Sequence, residues 1–116
     1  MKWFLVRYVY RIVFEQETYQ CQFDEQQRII RSDSLTNAFE KAKYLADSFN
    51  PCFKNYLGEN ISWKFVCIAG LVEIFPPSDG SEISSVVVET ADAVRYIKEM
   101  EMHKRFLEEK IRRNST

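Results

Sequence analysis

From Trp3 to Phe14 the chain reads "WFLVRYVYRIVF", and each even position, Phe4, Val6, Tyr8, Tyr10, Ile12 and Phe14, is apolar or aromatic. Side chains alternate across a strand, so this pattern predicts a long strand with one fully apolar face. The odd positions set Arg7 and Arg11 among Trp3, Leu5, Val9 and Val13. That second face is therefore at most partly covered.

A polar turn, "EQET" at Glu15 to Thr18, precedes "QCQFDEQQRII", which reads as the returning strand of a hairpin. Its alternation starts cleanly, with Cys21 and Phe23 marking an inward parity, and then fails at Glu25 and Gln27 on that same parity. Two readings stay open. Glu25 and Gln27 line a polar cleft, or the ribbon runs past the edge of its core and both faces are wet.

"SDS" at Ser32 to Ser34 supplies an N-cap, and Leu35, Ala38, Phe39, Ala42, Leu45, Ala46 and Phe49 follow at helical spacing to a stop at Asn50-Pro51. An irregular stretch, "CFKNYLGEN", leads to "ISWKFVCIAGLVEIF". In this strand Ser62 and Lys64 are even and Glu73 odd, which predicts a slip of one position at Ala69-Gly70. After the turn "PPSDG", "SEISSVVVE" reads as a closing antiparallel strand. A last helix is expected from about Ala91 to Arg113, capped by Thr90. It would be roughly 35 Å long, so that its C-terminal half protrudes. Ion pairs at i, i+4, such as Arg95 with Glu99 and Glu109 with Arg113, support it.

The order β-β-α-β-β-β-α predicts an α+β fold: an antiparallel sheet of about five strands, with helices covering one face and a long C-terminal helix. A length of 116 residues fits one domain, its core spanning about residues 2–100. Sixteen basic against seventeen acidic residues give a net charge of -1, so no global field draws the chain to nucleic acid or an anionic membrane. Binding of that kind would need a local patch. Arg7 and Arg11 interrupt the N-terminal apolar run, and "FVCIAGLV" is far short of a span; a cytoplasmic location is the expectation. Cys21, Cys52 and Cys67 are odd in number and widely spaced, which predicts reduced thiols packed as small apolar residues, without a zinc site.

Catalytic constellations are missing. His103 is the sole histidine and falls mid-helix, three glycines leave little for a phosphate loop, and no nucleotide, hydrolase or metalloprotease motif occurs. The expectation is a chain without catalytic residues, metal or cofactor. Asp24, Glu25, Gln27 and Arg28 are the candidates for a polar cleft or ligand site. Asp24 and Glu25 are adjacent in a strand, point to opposite faces and cannot share a proton without a bulge. Arg7, Arg11, Arg28 and Arg31 beside Tyr8 and Tyr10 raise RNA binding through the first hairpin, a weak pattern because the tyrosines lie on the apolar parity.

Four stretches carry a resemblance: "KWFLVRYVY", "QFDEQ" with "RII", "AFEKAK", and "WKFVCIAGLVEI" followed by "DGSEI". In their order and spacing the chain, from about Lys2 to Ile83, resembles an uncharacterised family of short bacterial proteins, domain of unknown function 4288. Cys67 stands where its members usually have glycine. The resemblance implies a compact α+β domain and transfers no catalytic residue. Function is then expected to lie in association, as a non-enzymatic module forming a homodimer through the sheet edge or the last helix. Met100, Phe106, Leu107 and Ile111 are the candidate interface; another protein is a possible partner, whereas no nucleic acid or membrane is expected. A ligand-binding or enzymatic module at Glu25 and Gln27 is the first alternative, and RNA binding the second.

Overall fold

The computed structural model describes residues 1–16 and 21–114. Part of the expected turn at Glu15 to Thr18 lies outside them. The chain divides into two compact units that meet in sequence at Ile83 and Ser84.

The first unit is a four-stranded antiparallel sheet with a helix on one face. Its elements are β1 (Lys2–Phe14), β2 (Gln22–Ser32), α1 (Leu35–Leu45), a 3-10 turn (Ala46–Ser48), β3 (Phe53–Lys54) and β4 (Asn60–Ile74), and the strand order is β2-β1-β4-β3. As the alternation of β1 requires, Phe4, Val6, Tyr8 and Tyr10 are buried on one face, with Ile30, Ala38, Ala42 and Ala46. The three alanines repeat every fourth residue, so one side of α1 carries no bulk and its backbone settles onto the β1 aromatics. Leu35 and Phe39, expected within the apolar stripe, lie at its exposed margin. Ser34 caps α1 by accepting a bond from the Asn37 N–H, 3.1 Å.

The end of α1 ties helix to sheet. The Ala46 N–H turns to the Lys43 carbonyl as the helix tightens into its 3-10 turn, and the Ala42 carbonyl accepts instead from the Tyr8 hydroxyl, 2.8 Å. Tyr10 donates likewise to the Ala46 carbonyl. Both hydroxyls are thus used inside the core, and the rings stay buried without an unpaired polar atom.

Strand β4 slips twice rather than once. Arg7 pairs with Gly70 but Tyr8 with Ile68, and Val9 pairs with Cys67 but Tyr10 with Phe65, so Ala69 and Val66 are both supernumerary. Each extra residue reverses the parity. Trp63 and Phe65, then Ile68, then Leu71 consequently all face the core, and Glu73 returns to the covered side, where Lys2 lies 3.7 Å away.

The sheet has four strands, not five. Among the described residues no strand follows Ile74. The turn expected after β4 does form, with Ser81 N–H bonded to Ser78 O at 3.0 Å and Gly80 at φ 84, a conformation that favours glycine. The hairpin does not form, because Pro76 and Pro77 occupy its first rungs and have no N–H to donate. A two-residue strand inside the irregular stretch was not expected; Phe53 and Lys54 pair with Ile61 and Asn60 around a turn at Gly58. The cysteines depart from expectation as well. They are free, yet all three are exposed: Cys21 and Cys52 precede strands, and Cys67 pairs with Val9 on the face that α1 does not cover.

The second unit contains α2, Ala93–Asn114. It starts later than expected, because its cap is Asp92, which accepts from the Arg95 N–H at 3.0 Å, while Thr90 accepts from the Asp92 N–H. Arg95 pairs with Glu99 at 3.3 Å and Arg113 with Glu109 at 2.8 Å. No residue of α2 is buried. Among the described residues no helix is long and apolar enough to cross a membrane.

Candidate functional site

The register of β1 and β2 decides where the polar stretch of the first hairpin falls. Tyr10 pairs with Asp24, Tyr8 with Gln26, Val6 with Arg28 and Phe4 with Ile30, so the even residues of β2 share the face that α1 covers. Ile30 is 6% exposed and Phe23 is 56% exposed. The inward parity of β2 is therefore the opposite of the one marked by Cys21 and Phe23. Asp24 and Arg28 lie on the covered face, Glu25 and Gln27 on the open one, and the four do not line a common cleft.

On the covered face, Asp24, Gln26 and Arg28 sit where α1 has ended, and Phe49 and Asn50 take its place. The Gln26 amide is the hub. Its Nε2 donates to Asp24 Oδ2 at 2.8 Å and to Asn50 Oδ1 at 2.9 Å, and its Oε1 accepts from Arg28 Nη2 at 2.9 Å. Trp63 Nε1, reaching over from β4, donates to Asp24 Oδ2 at 3.0 Å. The Arg28 guanidinium lies 4.0 Å from the centre of the Phe49 ring, a cation–π contact that holds its charge beside the core. Asp24 thus receives two donors and Gln26 is engaged at both ends. Such a closed set fixes the angle between the hairpin and the helix end more readily than it recruits a ligand.

The charges of this network reach the tyrosines beneath it. Burial pushes the Tyr8 phenol up to about 12, reinforced by Tyr10 and opposed by Arg28. Tyr10 is raised too, chiefly by burial, with Arg28 acting against it. Neither phenol is placed to act as an acid or base near neutral pH.

On the open face, Glu25 Oε1 accepts from Arg7 Nη1 at 3.1 Å, with 61% and 49% of the two side chains exposed. Arg11 Nη2 reaches Cys21 Sγ at 3.3 Å, and Arg31 lies over the Trp3 ring at 5.7 Å. Around them Phe23, Ile29 and Val72 are exposed. Among the described residues no group of three or more His, Cys, Asp or Glu is arranged to hold a metal ion.

In the second unit, Ile97, Met100, Leu107 and Ile111 recur at helical spacing along α2 and are exposed, with Phe106 beside them. Helix periodicity alone brought these residues to one side. Local periodicity does not mark Gln26, Asn50 and Trp63, because their meeting depends on the register of two hairpin strands and on the two bulges of β4. The usable signal was the parity of β2 itself, since Asp24, Gln26 and Arg28 run on to Ile30 and Ser32.

No curated protein and no solved structure matches the chain. A family model does match, over residues 3–85, a stretch that holds all of the sheet but Lys2, together with α1 and the polar network, and the chain belongs to that family, the domain of unknown function DUF4288.

Proposed function

We propose that the chain is a non-enzymatic association module that works as a homodimer, with α2 as its principal contact. One observation carries this reading: α2 has 22 residues, none of them buried, and an exposed apolar stripe of Ile97, Met100, Leu107 and Ile111, interrupted once at Lys104, where a single lysine on the seam helps fix the register of a pair at a cost in stability. Helices in water draw most of their stability from packing an amphipathic face. A second copy offers a matching stripe, and a parallel pair sets His103 of one helix beside Glu108 of the other, five residues further on, as flanking positions in coiled coils do. An antiparallel pair would bring the glutamates at positions 101 and 108 towards one another. Sedimentation velocity tests the reading. A dimer at micromolar concentration is expected, and a strict monomer in the high micromolar range overturns it.

A second reading has its own observation. On the open face of the sheet Arg11 and Lys64 flank the exposed ring of Phe23, and Arg7 lies further along β1, paired with the acid Glu25. That is a local basic patch of the kind single-stranded RNA uses. Titration with a uridine oligonucleotide at low salt tests it: binding should weaken steeply with salt and in Arg7→Ala plus Arg11→Ala. No binding at low salt disposes of it.

A further inference from the structure

The segment "SEISSVVVE", residues 81–89, has the composition of a strand and no strand to pair with. Val86 is 84% and Val87 90% exposed, although β-branched residues in sequence are among the strongest strand formers. Among the described residues, no backbone group from Glu82 to Thr90 bonds to another backbone group. The sheet, meanwhile, has an unfinished edge. β3 covers only Asn60 and Ile61 of β4, so among the described residues no strand pairs with the outer side of β4 from Ser62 to Ile74, which makes it a ready template for another strand.

We propose that the sheet obtains its fifth strand in trans: residues 82–89 of one copy add antiparallel to the outer edge of β4 in a second copy, and the exchange is mutual. This rests on the homodimer reading and names a second contact within it.

Three observations select this occupant and this edge. Between Ser62 and Ile74, β4 carries two charged residues, Lys64 and a Glu73 already paired with Lys2 at 3.7 Å, whereas the donor segment carries only acids, Glu82 and Glu89. In the antiparallel sense Glu89 points towards the Lys64 end of β4. Secondly, exposed Val66 and Val72 flank the acceptor, and the valines of the donor would cover apolar surface there. The other free edge, β2, instead carries Asp24, Glu25, Arg28 and Arg31, the charged guard that natural edge strands use against pairing. Thirdly, Pro76 and Pro77 deny the chain the opening rungs of its own hairpin, while pairing in trans does not involve them. A second copy supplies one donor and one acceptor in return for the same, so the exchange closes as a two-fold dimer and does not run on into fibres.

Hydrogen exchange read by mass spectrometry on the full chain tests this, in the dimer and after dilution to monomer. Amides of residues 83–89 should be protected in the dimer and lose that protection on dilution. Val87→Pro, which removes a ladder donor, should abolish the protection and weaken dimerisation roughly tenfold or more, with an unchanged circular dichroism spectrum. Val87→Lys serves the same purpose should the proline variant not fold. Lys64→Glu and Glu89→Lys should each weaken the dimer, and the two together should restore it. A dimer whose 83–89 amides exchange like a free peptide overturns the strand exchange and leaves the α2 contact standing. A strict monomer overturns both. Protection that survives in the monomer places the strand within one chain, and failure of the double charge swap removes β4 as the acceptor.

Discussion

Arg7 and Glu25 meet diagonally across β1 and β2, Nη1 to Oε1 at 3.1 Å, while the same guanidinium reaches back through Nη2 to the Ala69 carbonyl at 3.3 Å. Arg7 therefore spans three strands and lies against Gly70, where an added Cβ would stand 3.5 Å from its Nε. It braces the sheet where β4 carries its extra residue Ala69. The pair is exposed on both sides, however, and its attraction is screened by water.

Glu25→Ala should accordingly change the stability of the fold by no more than about 1 kcal/mol. Urea denaturation followed by tryptophan fluorescence measures it. A loss several times larger would mean that Glu25 has a role beyond this surface pair, which would revive a function for it on the open face.

Gln26→Ala should cost more than Glu25→Ala despite the lack of charge. The substitution removes the hub that holds Asp24, Asn50 and Arg28 together, leaving partly buried polar groups short of partners at about 1–3 kcal/mol. The same denaturation experiment ranks the two variants, and the opposite order would show the network to be slack.

The fate of these neighbours shows what a sequence of this kind makes legible. β1 was readable because its even face is apolar without interruption, and α1 because its alanines and cap recur at fixed spacing. Glu25 was misplaced because one strand in isolation offers only two parities, and the apolar side chains Cys21 and Phe23 pointed to the wrong one. What decides between them is the pairing of Tyr8 with Gln26 and Tyr10 with Asp24, a long-range fact. The fifth strand failed for a different reason. Its residues favour a strand, as expected, but propensity does not create an edge to pair with, and Pro76-Pro77 blocks the nearest one.

Alkaline pH should destabilise the fold through the core tyrosines. With the folded Tyr8 phenol held near 12 against an ordinary value of 10.0, the unfolded chain releases its proton first. The stabilisation is fully present below pH 10 and lost as pH rises towards 12, amounting to about 2–3 kcal/mol. Tyr10 acts in the same direction. Tyr8→Phe should lower stability at neutral pH by about 1–2 kcal/mol, since the Ala42 carbonyl loses its partner, and should flatten the decline above pH 10. An unchanged slope in that variant would assign the alkaline transition to other groups.

Leu107→Glu combined with Ile111→Glu should separate the copies without unfolding either unit. Both side chains are exposed on α2, so in a single copy the substitutions exchange apolar surface for charge that water already reaches. In a parallel dimer they place four carboxylates along a buried seam, and burying even one unpaired charge costs several kcal/mol. A weakening of at least about a hundredfold follows, since each 1.4 kcal/mol is a factor of ten. Phe106→Glu is the internal control. Phe106 is adjacent to Leu107 and also exposed, but it lies to one side of the stripe, so the same charge at that position should weaken the dimer much less. Sedimentation equilibrium across a concentration series distinguishes the three proteins. Equal dimerisation in all of them would remove α2 from the contact.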